Sequence, residues 1–161
     1  MNTRDPLTPT PDPRGFRYAL APYVQQQQWA LTALMSRQAR AEQAARDARS
    51  ALSRSEHELA VHTQQLQQAS RQRPDPAAHQ QAMTYLTALQ QRLQQQRHQL
   101  EQAQAHLEQA RGACLQQQRK VEGLEQHRNS ARAEFLREQE RQGARAADHD
   151  WLARRQPGAK A

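Results

Sequence analysis

From Leu20 onward, apolar residues recur at alternating spacings of four and three: Leu20, Val24, Leu31, Leu34, Ala41, Ala45, Ala48, Leu52, Leu59, Leu66 and Ala69. Gln27, Gln38, Ser55 and His62 fill the remaining places of the series, whose phase never slips. A repeat of this kind keeps one stripe on one side of a slightly underwound helix, the pattern that makes helices supercoil. It predicts a helix over about 18–71. Pro22 argues for a start close by, because proline is tolerated only in a helix's first turn.

The series stops at Arg71-Gln72-Arg73-Pro74-Asp75-Pro76. Two prolines around an aspartate cannot continue a helix, while Asp75 followed by Pro76 makes a good N-cap and first helical position. A turn is expected over about 72–76 and a second helix over about 77–155. Its seam runs Ala82, Leu86, Leu89, Leu93, Gln96, Leu100, Ala103, Leu107, Ala110, Cys114, Gln117, Val121, Leu124, Arg128, Ala131 and Phe135. Beyond Phe135 the same phase gives Glu138, Gln142, Arg145 and His149, none of them apolar.

A short turn makes two consecutive helices antiparallel neighbours, so facing residues should have numbers summing to about 152. Leu66 then meets Leu86, Leu59 meets Leu93, Leu52 meets Leu100 and Leu31 meets Val121. On this register the second helix outruns the first near the place where its apolar positions end. The expected fold is all-α, a long antiparallel two-helix coiled-coil hairpin paired over roughly 50 residues, or ~75 Å. Pro6, Pro9, Pro11, Pro13 and Gly15 mark residues 1–15 as a disordered tail ahead of a hairpin over 16–155, with a second tail at 156–161.

Composition supports helices rather than a globule. Ala, Gln, Arg, Glu and Leu dominate, with 29 Gln against five Gly. At 36% hydrophobic residues, such a chain buries a stripe but no thick core. The Ala-rich middle of the seam buries little, so marginal stability is expected, raised by whatever binds the folded form. The net charge of +7 invites a nucleic-acid reading. Acidic residues are interspersed throughout, however, as on a solvated helix surface rather than a basic arm, which argues against specific nucleic-acid binding. No apolar h-region follows Met1, no apolar run approaches the length of a membrane span, and Cys114 is the lone cysteine. These features predict a cytoplasmic protein without membrane insertion.

Candidate chemistry is sparse. No two of His57, His62, His79, His98, His106, His127 and His149 stand three or four apart, as metal ligands on one helix require, so no metal or cofactor is expected. His62 reads as a polar register-setter within the seam, and Cys114 as a small buried hydrophobe. Glu134 and Glu138 beside Arg137 and Arg141 read as a solvated helix face. Gly112, Gly123 and Gly143 stand singly inside helix, Gly143 marking expected fraying of the overhang. No enzyme is visible. Large residues off the seam are more informative: Trp29 at heptad position f, Tyr85 at g near the turn, and Trp151 at c in the overhang. Exposed aromatics serve as interface anchors, or alternatively pack against a neighbouring tail.

The segment Tyr85-Leu86-Thr87-Ala88-Leu89 through Gln96-Arg97-His98-Gln99-Leu100-Glu101-Gln102 is similar to the middle of FliJ and YscO-type proteins. These are stalk components of flagellar and injectisome type III export. Phe16-Arg17-Tyr18-Ala19-Leu20 and Arg137-Glu138-Gln139-Glu140 with Asp148 resemble the family's ends, so the likeness spans about residues 16–155. It implies a coiled coil standing in the pore of a hexameric export ATPase and contacting the export-gate membrane protein, with secretion chaperones as further partners. The gate contacts it implies fall on Tyr85, Leu89, Gln96 and Arg97; Arg92 departs from the pattern, where a small residue stands. The ring-inserted end would be the paired termini, with Arg137 and Arg141 of the overhang among the contacts. Gln-richness and the proline-containing tail point to an injectisome version of plant-pathogen type. A generic coiled-coil adaptor or a secretion chaperone fits the same periodicity, and a nucleic-acid-binding helical protein fits it less well.

Overall fold

A computed structural model of the chain describes residues 13–72 and 75–155. Two helices account for nearly all of them, α1 (Ala21–Gln72) and α2 (Pro76–Arg155). The expected tail residues 1–12 and 156–161 lie outside the described residues, as do Arg73 and Pro74 of the turn. The molecule divides into two compact units. One combines residues up to Gln28 with those from Arg119; the other is Trp29–Gln118. Each contains a segment of both helices, and each is an antiparallel pair.

Local chemistry sets the helix starts. At α1, the Leu20 carbonyl accepts the first helical bond from the Val24 amide at 2.9 Å. Pro22 falls in that first turn, where its missing N–H would have had no helical acceptor. The sequence pattern put Leu20 on the seam and the start near residue 18; instead Leu20 sits just before α1 and is 42% exposed. The seam begins one step later, at Val24. At α2, Asp75 is the N-cap: its Oδ1 accepts from the Ala77 amide and its carbonyl from the His79 amide, both at 3.0 Å. Pro76 occupies the first helical position.

The heptad phase predicts burial along both helices. Every seam position from Val24 to Leu66, and from Ala82 to Phe135, is buried or half-buried, whereas Ala69, the last expected seam position of α1, is exposed. Every residue from Leu136 to Arg155 is exposed. Cys114 is buried in the seam, as its position implies. Even so, no side chain among the described residues is sealed to below 2% exposure. A pair of helices covers each seam residue from one side only, so this core is a line rather than a volume.

Flanking positions fix direction and register. In a parallel pair, position g faces position e of the partner; in an antiparallel pair, e faces e and g faces g. Glu42–Arg111 at 3.8 Å and Glu56–Arg97 at 3.5 Å are e–e pairs of the Trp29–Gln118 unit. Glu58–Arg92 at 3.9 Å in that unit is a g–g pair. In the other unit, Gln28 Nε2 donates to Glu125 Oε1 at 3.5 Å, again e to e. The numbers of these partners sum to between 150 and 153.

Ahead of α1 the chain is ordered without being helical. The Phe16 amide bonds the Pro13 carbonyl at 3.0 Å, closing a turn in which Gly15 adopts φ +88°. That turn lays Phe16 on Phe135, the last seam residue of α2, with ring centroids 5.5 Å apart. Tyr18 then reaches His127: its hydroxyl lies 2.8 Å from Nδ1 and 3.5 Å from the Leu124 carbonyl. The end of the seam is thus covered by aromatic side chains from a turn rather than by a longer α1.

Candidate partner-binding surfaces

Near the turn, position g of α2 presents Tyr85. Its ring stands edge-on to His62, with centroids 4.9 Å apart and planes at 70°. Its hydroxyl donates to Glu58 Oε1, and the other oxygen of that carboxylate faces Arg92. The hydrogen bond to Glu58 holds the Tyr85 proton and pushes the phenol above its ordinary pKa. Desolvation and the Glu58 charge act in the same direction, and Arg92 opposes them. His62 on α1 and Tyr85 on α2 flank a cleft of about 640 Å³ lined by Leu66, Ala69, Ala82 and Leu86. Ala69 and Ala82 are the small residues of the seam at this end, and they leave its walls short.

The four residues singled out near the turn fall into two groups. Tyr85 and Arg97 are exposed, Arg97 being held by Glu56. Leu89 and Gln96 lie on the seam. Leu89 is 3% exposed and reaches a partner only if the helices part. Gln96 is half-buried, and its Oε1 is buried without a hydrogen-bond partner. Arg92, where a small residue was expected, extends to Glu58 and adds a charge to the Tyr85 surface.

Trp29 is 67% exposed on the outer face of α1. In the overhang of α2, Arg137 and Arg141 are exposed, with Arg141 3.7 Å from Glu138. Trp151 is also exposed, with the Arg155 guanidinium over its ring at 4.7 Å from the centroid. Gly143 lies inside α2 and has no positive φ. Glu58 and His127 escaped sequence reasoning. Each is a surface position whose role comes from an aromatic hydroxyl distant in the chain, and only the g–g register could have pointed to Glu58.

Among the described residues, no group of three His, Cys, Asp or Glu side chains is placed to hold a metal ion. No helix among them is long and apolar enough to cross a membrane. The arrangement offers flat, charged helix faces with isolated aromatics, which suits protein recognition through side-chain anchors.

Two comparisons with known proteins give matches. The model of a family described as the flagellar FliJ protein matches residues 16–158. A solved structure, that of CT670 from Chlamydia trachomatis, described as a proposed YscO homolog, superposes with a TM-score of 0.50. The two sequences are 16% identical, and the match covers 88% of this chain and 99% of that one. No curated protein matches the sequence.

Proposed function

We propose, from the premise that this chain belongs to the FliJ family, that it is the stalk of a type III secretion export apparatus and acts without enzymatic activity of its own. The end bearing the overhang inserts into the hexameric export ATPase. The surface around Tyr85 meets the export-gate membrane protein. The protein accordingly works in the cytoplasm, peripherally at the inner-membrane export apparatus.

The observation that carries this reading is the stretch Leu136–Arg155. It stays helical for 20 residues with every position exposed. A helix without a buried face needs a partner to repay its ordering, and this one offers Arg137, Arg141 and Trp151 as contacts. Tyr85, Arg97 and the neighbouring Arg92 form the second contact surface, while Leu89 and Gln96 beneath set its spacing. Gln-richness and the proline-bearing N-terminal sequence favour an injectisome over a flagellum.

Purified export ATPase should hydrolyse ATP faster and assemble hexamers more readily when this protein is added. The variant Arg137→Ala/Arg141→Ala/Trp151→Ala should lose most of that stimulation while keeping its helical content. No effect of the wild-type protein on either turnover or assembly would refute the stalk role.

A further inference from the structure

The overhang of α2 carries a second stripe that the seam does not use. In the seam's phase it offers Glu138, Gln142, Arg145 and His149. On the opposite side of the helix, at about 100° per residue, stand Glu140, Gly143, Ala147, Trp151 and Arg154. All five are exposed. Their spacings are three, four, four and three, which read the same in both directions.

That symmetry extends to chemistry. Two such helices laid antiparallel about Ala147 set Glu140 against Arg154, Gly143 against Trp151, and Ala147 against itself. Opposite charges meet at both ends, the largest side chain meets the smallest, and the centre permits close approach. Gly143, like Gly112 and Gly123 of the same helix, is not required by the backbone, and it alone of the three lies on this stripe. Its φ is not positive, and a Cβ placed there would meet nothing within 4 Å. A helix interior disfavours glycine, so nothing within the chain calls for one here. Trp151, 56% exposed, is the side chain that the gap would receive.

We propose that Glu140–Arg154 is a self-complementary surface through which two copies of this chain pair antiparallel, the Trp151 of each seated over the Gly143 of the other. A second copy is the occupant because the stripe is its own charge complement: laid antiparallel, Glu140 of each copy meets Arg154 of the other, as an isologous interface allows. The stripe lies opposite the seam phase, so pairing leaves the Phe16–Phe135 contact undisturbed. Fifteen residues of helix per copy bury less than the ~1,000 Å² of a stable interface, so the pairing is transient and concentration-dependent. It would hide Trp151 from any other partner.

Sedimentation velocity at low salt, from about 10 µM to about 1 mM, tests this with the purified chain alone. The wild-type mass should rise with concentration from 18.5 kDa towards twice that value. Glu140→Arg alone, or Arg154→Glu alone, places like charges in both end contacts and should weaken pairing about tenfold. The double variant, and an equimolar mixture of the two single variants, should restore it. Gly143→Leu should abolish pairing while maintaining or raising the melting temperature, an outcome that misfolding cannot produce. A wild-type chain that stays monomeric throughout, or one that dimerises regardless of these substitutions, would overturn the proposal.

Discussion

Leu93→Ala isolates what the seam contributes. Leu93 is almost fully buried, and Leu115, on the same helix, is half exposed. Replacing either by alanine changes intrinsic helix propensity alike and slightly in favour of the helix, so any difference between them is packing. Buried Leu→Ala substitutions cost about 2–5 kcal/mol, the upper part coming from a cavity that the surroundings cannot close. No side chain of this seam is sealed on all sides, so the space left at residue 93 can admit water or collapse. The cost should fall at the low end, about 2–3 kcal/mol.

For a chain of this size, each kcal/mol lowers the melting temperature by about 2–4 °C, giving about 5–10 °C for Leu93→Ala. Leu115→Ala should stay within about 0.5 kcal/mol of wild type. Thermal and urea unfolding followed by helical circular dichroism reads both. Equal shifts for the two variants would mean that the helices do not pack along this face, and the antiparallel pairing would fail with it.

Tyr85 should ionise above the ordinary tyrosine range in an ultraviolet titration, because Glu58 holds its proton; Glu58→Gln should bring it back towards the ordinary value. Since the folded phenol binds its proton more tightly than the unfolded one, its stabilising contribution is complete below the unfolded pKa of 10.0 and disappears as pH rises through the higher folded value. Asp75→Ala should cost about 1 kcal/mol in a melting experiment through loss of the α2 cap, and Asp75→Asn much less. Gly15→Ala should loosen the start of the chain, because φ +88° costs an L-residue roughly 1–2 kcal/mol. Faster hydrogen exchange at the Phe16 and Val24 amides would show it, with the middle of α2 unchanged.

The fold was legible because one period governs it. An unbroken alternation of four and three specifies which residue is covered at each turn of helix, and two prolines around Asp75 specify where the chain reverses. The pattern misses the ends, where the period stops being the relevant physics. Leu20 satisfies the alternation, yet Pro22 fixes the helix start beyond it. Phe16 belongs to no heptad, yet it covers Phe135 because Gly15 allows a turn that periodicity does not describe. The polar contacts near the turn were legible only in part. Tyr85 stands out as an aromatic off the seam, whereas Glu58 looks like any solvated carboxylate until the g–g register sets it opposite.

A two-helix pair gives each residue one of two fates. It is covered on the seam, or it lies off the seam and keeps an exposed face, the flanking e and g positions still reaching across to the other helix. This divides the candidate contacts near the turn. Tyr85 and Arg97 are exposed and can meet another protein with the seam intact, exchanging their cross-helix contacts to Glu58 and Glu56. Leu89 cannot, so its replacement should act on binding through the spacing of the helices that carry Tyr85 and Glu58. The same reasoning sets the overhang apart. From Leu136 to Arg155 no residue has a seam to serve, so the side chains of this stretch are exposed. If the export ATPase binds this stretch as proposed, binding also stabilises a helix that has no buried face of its own.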